Sequence, residues 1–247
     1  MTAVFPVTVD SPLGADAFVF RSLKGTEALG RPFEMQLELY STTQAITLND
    51  LVGQNVTVTA AFPSGRTRYF NGDVAEMRQL TGMHTDKYIY ALALRPKLWF
   101  LQYKYDCRIF QNKTVTEIIT AVLDEHGLTD RTLSLTGTYT AREYCVQYNE
   151  SDLDFISRLM EEEGIYYFFT HESGKHTLVL ADALSAHAAI AGKAGDGKIV
   201  YRPPRVNYSE DHVDDWTISQ QVQTSIYAHT AFNFETPRTN LLAQSEI

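Results

Sequence analysis

The sequence has few cysteines, no surplus of basic residues and no long apolar run. Only Cys107 and Cys145 occur in 247 residues, which is too few to staple a chain of this size, so buried reduced thiols are favoured over a disulfide. The formal net charge of −9 argues against sequence-independent binding to nucleic acid and against docking on anionic lipid. No segment reaches the roughly 18 apolar residues that a membrane helix requires.

The N-terminus lacks the features of a secretory leader. No basic start precedes an apolar segment, and Pro6, Asp10 and Asp16 interrupt the apolar residues of positions 1–20. We therefore expect a protein that is cytoplasmic when it is made. If it leaves the cell, a route other than general secretion must carry it.

Motifs that mark common enzyme classes are also missing. The sequence has no Gly-x-Ser-x-Gly elbow for a serine nucleophile and no Gly-x-x-x-x-Gly-Lys phosphate loop. The acidic run at 210–215 lacks the alternating ligands and central glycine of a calcium loop, and we interpret it as a solvated loop. The sequence thus predicts no catalytic, cofactor-binding or metal-binding residue and no cofactor.

Alternating apolar residues dominate the first hundred positions. Phe33, Met35, Leu37 and Leu39 alternate with polar residues, and the segments 56–62 and 88–94 repeat the pattern. This period of two is typical of half-buried strands, and short strands at this spacing indicate a sandwich or barrel. Residues 63–65 (PSG) are predicted to form a turn, and Asn71-Gly72 is predicted to form a hairpin turn or a bulge.

Two helices and a hairpin are predicted after position 100. Thr114 and Glu117 form a capping box for a helix over 114–126, and Ser151 caps a second helix over 152–163 that ends at Gly164. A short strand over 143–148 precedes the second helix. The segments 165–170 and 177–181 form a hairpin joined across 172–175.

The order of these elements predicts three domain segments. A first β-barrel-like domain covers 1–100, a second domain with two helices and a hairpin covers 101–200, and returning β strands cover 201–247. A linker-like stretch over 183–204 is rich in Ala and Gly and ends in two prolines. The expected core anchors of the last segment are Trp216, Ile218 and Val222.

One histidine pair is a candidate ligand set. His171 and His176 flank the hairpin turn and can face each other across it, with Glu172 and Asp182 nearby. A metal site needs three or four convergent ligands, so two histidines on a turn are more often exposed, turn-flanking residues. We prefer that interpretation.

Three consecutive glutamates, Glu161 to Glu163, end the second predicted helix and oppose its dipole there. Adjacent helical residues point about 100° apart, so they cannot flank one bond as a glycosidase pair does. At least one glutamate is expected to meet a cation, with Arg158 or a neighbouring subunit as candidates. A solvated face is the preferred alternative.

The sequence contains 14 Tyr and 13 Phe, and three explanations stay open. These residues fill β cores, line a carbohydrate-binding face or build protein interfaces. Consecutive rings in the strand at 165–169 point to opposite faces, so at least one face of that strand must be buried.

Seven segments together resemble one family in order and in spacing. They are 31–39 (RPFEMQLEL), 51–58 (LVGQNVTV), 66–72 (RTRYFNG), 94–101 (LRPKLWFL), 108–114 (RIFQNKT), 142–169 (REYCVQYNESDLDFISRLMEEEGIYYFF) and 174–182 (GKHTLVLAD). In these segments the chain resembles the N-terminal, phage-hub-like portion of VgrG, the valine-glycine repeat protein G of bacterial type VI secretion. Weaker likeness continues to Pro237.

This resemblance implies a mainly β (α+β) fold with two related β-barrel-like domains and short helices. It also implies a structural role, not an enzymatic one: the hub of a homotrimeric spike that adapts a hexameric tube to a threefold needle. The implied partners are other copies of the chain, the tube protein, needle or tip and baseplate proteins, and effectors. The implied route is assembly in the cytoplasm and expulsion by the apparatus.

The chain departs from the family at its end, because the family's oligonucleotide-binding-like barrel and β-helix needle are absent from these 247 residues. A fragment and a shortened hub are both open. Two other functions stay open as well: a tail hub of a phage-like contractile particle, and a carbohydrate-binding or hydrolytic β module. A ring-forming acidic subunit must hide apolar surface at its edges, so the isolated chain is expected to show an exposed apolar patch.

Overall fold

A six-stranded antiparallel sheet forms the N-terminal part of the chain. The computed structural model describes residues 6–14, 16–42, 46–63, 65–84, 87–188, 198–202 and 212–246. The chain divides into a first unit, 1–198 with 207–210, and a second unit, 199–206 with 211–247.

The sheet of the first unit curls toward a barrel. Its strands are β1 (Val7–Asp10), β2 (Val19–Ala28), β3 (Arg31–Ser41), β4 (Asn55–Ala61), β5 (Thr67–His84) and β6 (Lys87–Arg95), in the order β1-β4-β5-β6-β3-β2. The outermost strands β1 and β2 are in contact with each other. Along β3 the apolar residues from Phe33 to Leu39 are buried at every second position, as the alternation predicts.

Helices and two smaller sheets make up the rest of the first unit. In chain order they are β7 (Tyr105–Lys113), α1 (Val115–Glu125), β8 (Arg131–Ser134), β9 (Arg142–Ser151), α2 (Asp152–Glu163), β10 (Tyr166–Glu172) and β11 (Lys175–Ala181). Strands β10, β11 and β8 form a three-stranded sheet, and β7 pairs with β9 in a two-stranded ribbon. Short 3₁₀ helices lie at Leu48–Asp50, Lys97–Tyr103 and Leu184–Ala186.

Both predicted helices are confirmed, together with their caps. Thr114 and Glu117 form the complete capping box of α1. The Ser151 hydroxyl accepts the Asp154 N–H at the start of α2, and Gly164 ends that helix in the left-handed conformation with φ 70°. The hairpin β10–β11 is confirmed as well.

Two hydrophobic clusters form the interior of the first unit. One lies within the six-stranded sheet and runs along the sequence from Val9 to Leu94, whereas the other lies around the two helices and runs from Leu98 to Leu180. Phe169 packs against both clusters. The predicted mainly β fold with short helices is confirmed. The division of the chain into hub domains stays a prediction.

The prediction of a hairpin turn or a bulge at Asn71-Gly72 is wrong, since the pairing of β4 with β5 is regular there. Both residues lie inside β5, where Asn71 pairs with Thr57 and Gly72 pairs with Val56 of β4. A glycine is needed here for space, because a Cβ on Gly72 would lie 3.0 Å from Leu94 Cβ and 3.2 Å from Phe33 Cε2. The Asn-Gly pair therefore serves the packing of the sheet rather than a change of direction.

A parallel strand pair was not predicted. Strand β8 lies beside β11 in parallel, with Arg131 opposite Leu178. The four residues of β8 are too few to show a clear alternation, which is why the sequence pattern does not indicate this strand.

The second unit contains little regular structure in its described residues. Strands β12 (Ile226–His229) and β13 (Ala243–Glu246) pair in antiparallel, and every residue of both is exposed. Trp216, Ile218 and Val222 are 72%, 86% and 102% exposed, so their predicted role as core anchors is wrong. Burial requires a second layer of structure, and the described part of this unit does not supply one. Residues 189–197 and 203–204 of the predicted linker over 183–204 lie outside the described residues.

Replacing Gly72 by alanine tests the packing of β5. We expect Gly72→Ala to lower the free energy of unfolding by about 1–3 kcal/mol, because a new methyl group must displace Leu94 or the ring of Phe33. Urea unfolding measures the change. Gly25→Ala is the matched control, since its Cβ meets the movable Met35 side chain, and we expect a change within about 1 kcal/mol. Equal stability of the two variants would contradict the packing argument.

Candidate assembly surface and the junction behind it

One face of the β7–β9 ribbon is exposed and apolar. The register places Cys107 opposite Tyr148, Ile109 opposite Val146 and Gln111 opposite Tyr144, so these side chains lie on one face. Tyr105, Ile109, Tyr144 and Tyr148 are 64%, 56%, 55% and 78% exposed. We call this surface the ribbon face and define it by Tyr105, Cys107, Ile109, Gln111, Tyr144, Val146 and Tyr148. It is the kind of exposed apolar surface that the sequence predicts.

The other face of the ribbon packs on α2 and holds the ribbon in place. The ring of Phe110 stacks on Phe155 of α2, with 5.7 Å between ring centroids and 17° between ring planes. Cys145 and Gln147 on the same side are buried. The ribbon is therefore fixed from its inner side, and its outer side is left open.

A buried carboxylate, Asp152, ties the ribbon to both helices. Its carboxylate accepts hydrogen bonds from Arg108 Nη2 at 2.6 Å, Gln147 Nε2 at 2.8 Å and His126 Nε2 at 2.6 Å. Burial opposes ionisation of Asp152, but the hydrogen bonds from His126 and Gln147 and the charges of Arg108 and Lys104 outweigh it and lower its pKa. Arg108 lies in β7, Gln147 in β9 and His126 at the end of α1. Through these three partners, Asp152 links both strands of the ribbon and the end of α1 to the start of α2.

The predicted histidine pair lies between the two hydrophobic clusters. His171 and His176 face each other across the hairpin, as predicted. They are not exposed, however: His176 is 7% exposed and the side chain of His171 is 8% exposed. The preferred interpretation of exposed, turn-flanking residues is therefore wrong, because the hairpin packs on β3 and β5, where the ring of Phe33 lies 5.0 Å from that of His171.

Asn71 is the polar centre of this contact. Its side chain is fully buried; its Oδ1 accepts the His176 Nδ1–H at 2.7 Å, and its Nδ2 donates to Thr57 Oγ1 at 2.7 Å. The N–H of Gly174 in the hairpin turn donates to the same Thr57 Oγ1 at 3.2 Å. Lys97 N–H donates to His176 Nε2 at 3.1 Å. We call this set the hairpin junction: Thr57, Asn71, Lys97, Gly174 and His176.

The hairpin junction requires a neutral His176. Since Nε2 accepts a hydrogen bond from Lys97, the proton of the imidazole is on Nδ1, which donates to Asn71. Burial, together with the charges of His171 and Lys97, lowers the pKa of His176 to about 4. A second proton would remove the acceptor that Lys97 N–H uses and would place a charge in the junction.

The two carboxylates considered as co-ligands serve other contacts. Asp182 accepts the backbone N–H groups of Gly137 and Thr136 and the hydroxyl of Tyr139. These hydrogen bonds, led by that of Gly137, lower the pKa of Asp182 to about 2. Glu172 lies 3.6 Å from Lys175 across the turn. Neither carboxylate completes a metal site with the histidines.

The glutamates that end α2 do meet a cation. Arg142 contacts Glu162 at 2.8 Å and Glu163 at 2.6 Å. Arg158, the predicted candidate, pairs with Glu150 instead. Glu161 and Glu162 are exposed, as a solvated face requires, but the preference for that explanation over a cation partner is wrong for Glu162 and Glu163. The positive charge of Arg142, the first residue of β9, offsets the negative charges of Glu162 and Glu163, which are unfavourable at the C-terminal end of a helix.

The two cysteines are free and differ in burial. Cys145 is buried, as predicted for a reduced thiol. Cys107 is exposed, so the prediction is wrong for this residue. Its position on the ribbon face, where no second layer covers it, is the physical reason.

Metal binding and membrane insertion find no support in the part of the chain that the structure describes. Within it, no group of three or more His, Cys, Asp or Glu side chains is placed to hold a metal ion. The same residues contain no helix whose length and apolar character would allow it to cross a membrane. Glu210 and Asp211 of the acidic run lie outside the described residues, and Asp214 and Asp215 are exposed.

Sequence reasoning missed Asn71 and Asp152. Asn71 was interpreted as a turn residue because it precedes a glycine. Asp152 carries no sequence signal beyond its place at a helix start, where an acidic residue is ordinary. One sequence signal was available for Asn71. The apolar alternation of β4 predicts a strand that needs a pairing partner, and the residues before and after Asn71 supply that partner as β5.

Comparison with known proteins gives a consistent result. The family described as Phage tail baseplate hub (GPD) matches residues 26–246. The type VI secretion system spike proteins VgrG1c and VgrG1a of Pseudomonas aeruginosa are 42% and 41% identical to the chain over 242 residues, which is 98% of its length. The alignments cover 33% and 37% of those proteins, so the chain spans about a third of their length. The resemblance to VgrG is confirmed.

A solved structure supports the fold. The Escherichia coli c3393 protein, described as a component of the type VI secretion system with similarity to the T4 bacteriophage tail proteins gp27 and gp5, superposes with a TM-score of 0.67 at 21% identity. The superposition covers 92% of this chain and 56% of that one. The hub-like fold of the chain is confirmed.

The hairpin junction predicts a stability loss in mild acid. The pKa of His176 is lower in the folded chain than its ordinary 6.5, so the unfolded chain binds more protons between pH 6.5 and about 4. We expect His176 to contribute a loss of about 3 kcal/mol of unfolding free energy over that range. Urea unfolding of wild type and His176→Gln across this pH range measures it, because the variant lacks this contribution. His229→Gln, at an exposed site, is the control and keeps the wild-type slope. Parallel profiles for wild type and His176→Gln would contradict the prediction.

Replacing the buried carboxylate of Asp152 tests how much its hydrogen bonds stabilise the fold. We expect Asp152→Asn to lower the unfolding free energy by about 2–3 kcal/mol, because this buried site loses the ionised acceptor of three hydrogen bonds, although Arg108 keeps its ion pair with Glu125. Asp124→Asn is the matched control: it removes the 56% exposed partner of Arg131, and we expect a loss below about 1 kcal/mol. Thermal and urea unfolding measure both variants. A loss for Asp152→Asn no larger than that of the control would show that the network stabilises nothing.

Proposed function

Because this chain belongs to the phage tail baseplate hub (GPD) family, we propose that it forms the hub portion of a type VI secretion spike. The observation that carries the proposal is the identity of 41–42% to two spike proteins over 98% of the chain. On this proposal the chain works through the surfaces with which it assembles.

We propose that three copies form a ring between a hexameric tube and a threefold needle. Two related domains in each of three subunits present six similar positions to the tube, which matches threefold to sixfold symmetry. The other partners would be needle or tip proteins, baseplate proteins and effectors. The ribbon face supports this proposal, because an assembling subunit needs exposed apolar surface that becomes buried in the complex.

The domain division remains part of the proposal. Residues 1–100 would be the first hub domain, 101–200 the second, and 201–247 would contribute strands to the remainder of the hub. The two separate hydrophobic clusters of the first unit, one ending at Leu94 and the other beginning at Leu98, support a boundary near position 100.

We propose further that the chain is not an enzyme and that it holds no cofactor, metal ion or nucleic acid. In support, His171 and His176 are engaged in contacts between the two clusters, and Glu172 and Asp182 are paired with other groups. Assembly would take place in the cytoplasm, and the apparatus would then expel the spike without a signal peptide.

A tail hub of a phage-like contractile particle is the second candidate. The family match over residues 26–246, whose description names a phage tail baseplate hub, favours it. The two candidates have the same fold. They differ in the assembly that contains the hub, which is a type VI secretion apparatus in one case and a phage-like contractile particle in the other.

Deletion of the gene tests the proposal. We expect a strain without it to stop releasing the tube protein into the medium, and a plasmid copy to restore release. Immunoblots of medium and cells measure the tube protein, and a cytoplasmic marker protein controls for lysis. Unchanged release would contradict the proposal. Unchanged release combined with the loss of tailed particles in electron micrographs would favour the phage-like candidate.

A further inference from the structure

The two histidines of the β10–β11 hairpin differ in how their contacts respond to an extra proton. His176 uses both ring nitrogens: Nδ1–H donates to Asn71 Oδ1 at 2.7 Å, and Nε2 accepts the Lys97 N–H at 3.1 Å. An extra proton on Nε2 would point at the Lys97 N–H, so that one donor faces another. The contacts of His176 therefore form only while its imidazole is neutral.

His171, in contrast, has a partner for an extra proton on each ring nitrogen. Its Nδ1 lies 3.1 Å from Asn71 N and 3.0 Å from Asn71 O, so it accepts from the N–H when bare and donates to the carbonyl when protonated. Its Nε2 is buried, has no hydrogen-bond partner among the described residues and lies 3.4 Å from Glu27 Oε1. Contact with His171 and the charge of Arg68 lower the pKa of Glu27 against the effect of burial, so a counter-charge is present there in mild acid.

The charges around the pair compensate one extra proton but not two. His176 faces the cation of Lys97, and the Asp130 carboxylate before β8 is the acidic group that acts on it. Burial and the charges of His171 and Lys97 outweigh that of Asp130 and lower the pKa of His176 to about 4. The two rings are 6.4 Å apart, so two imidazolium ions would repel each other at a place shielded from water.

Four backbone N–H groups in the described part of the chain donate between the hairpin and the segments packed against it. They are Gly30 to Tyr167 O at 2.8 Å, Asn71 to His171 Nδ1 at 3.1 Å, Lys97 to His176 Nε2 at 3.1 Å and Gly174 to Thr57 Oγ1 at 3.2 Å. Because their partners lie across the contact, these N–H groups exchange with solvent when the contact opens, even if every strand and helix stays formed.

We propose that the histidine pair is a proton-operated release of the hairpin from the six-stranded sheet. The pair takes up two protons from solvent in turn. The first is held by His171 between Asn71 O and Glu27, and the second, on His176, opens the contact. Both hydrophobic clusters stay folded, because apolar burial does not change with protonation. The release is a local opening, distinct from unfolding of the whole chain, and it does not depend on the proposed hub function.

Hydrogen exchange of the full chain, measured by NMR residue by residue between pH 6.5 and pH 4.5, tests the release. Each exchange rate is divided by the rate of an unfolded peptide at the same pH. We expect protection at Gly30, Asn71, Lys97 and Gly174 to fall on the order of thirtyfold, since the open form binds a proton at the ordinary pKa of His176, 6.5, and the closed form at about 4. Amides inside β3 and α2 should keep their protection.

Three variants separate the two protons. His176→Gln keeps a donor and an acceptor in place of the ring and takes up no proton, so protection should no longer depend on pH. Glu27→Gln removes the counter-charge of the first proton, so protection should fall more steeply than in wild type, because two protons then favour opening. Glu172→Gln is the matched control: Glu172 is exposed and pairs with Lys175 within the hairpin, and the wild-type profile should remain.

Each alternative outcome decides against a stated part of the release. Parallel loss of protection inside β3 and α2 would mean that acid unfolds the whole chain, and this would overturn it. Constant protection at the four N–H groups would overturn it as well, as would a wild-type profile in His176→Gln. If His176→Gln does not fold, the wild-type series and Glu27→Gln decide. A wild-type slope in Glu27→Gln would overturn the assignment of the first proton to His171 and Glu27.

Discussion

The buried side chain of Asn71 determines how the two halves of the first unit are joined. Its amide links Thr57 of the six-stranded sheet to His176 of the β10–β11 hairpin, and no water is needed to satisfy it. Because an unpaired buried amide costs roughly 1–3 kcal/mol, the sheet and the hairpin are held at one distance and in one register. The ring of Phe33, which lies against those of Phe169 and His171, fills the space beside it.

This junction has a consequence for the ribbon face. The hairpin belongs to the second hydrophobic cluster, which also contains Phe155 and the helices on which the ribbon packs. The chain of contacts therefore runs from the sheet through His176 and the helical core to the β7–β9 ribbon. A subunit that assembles through that face gains by such rigidity, because less conformational freedom is lost when the contact forms.

The sequence was informative where one local rule decides the structure. Capping residues and helical periodicity predicted α1 and α2 with their ends, and alternation predicted β3 and the hairpin. Local sequence patterns did not predict the contacts between segments that are distant in the sequence. Asn71 has the local chemistry of a turn, but the hairpin, a hundred residues later, gives it a buried role. His176 looked exposed for the same reason, and the Arg142 contact with Glu163 depends on packing that no local pattern encodes.

Hydrogen exchange of the Asn71→Ala variant tests the central claim, that one buried junction makes two hydrophobic cores a single rigid unit. Comparison with wild type by mass spectrometry reports protection peptide by peptide. The account predicts that peptides from β4–β5 and from β10–β11 lose protection together, although a hundred residues separate them in sequence. Faster exchange confined to the residues next to position 71, with the hairpin as protected as in wild type, would contradict it.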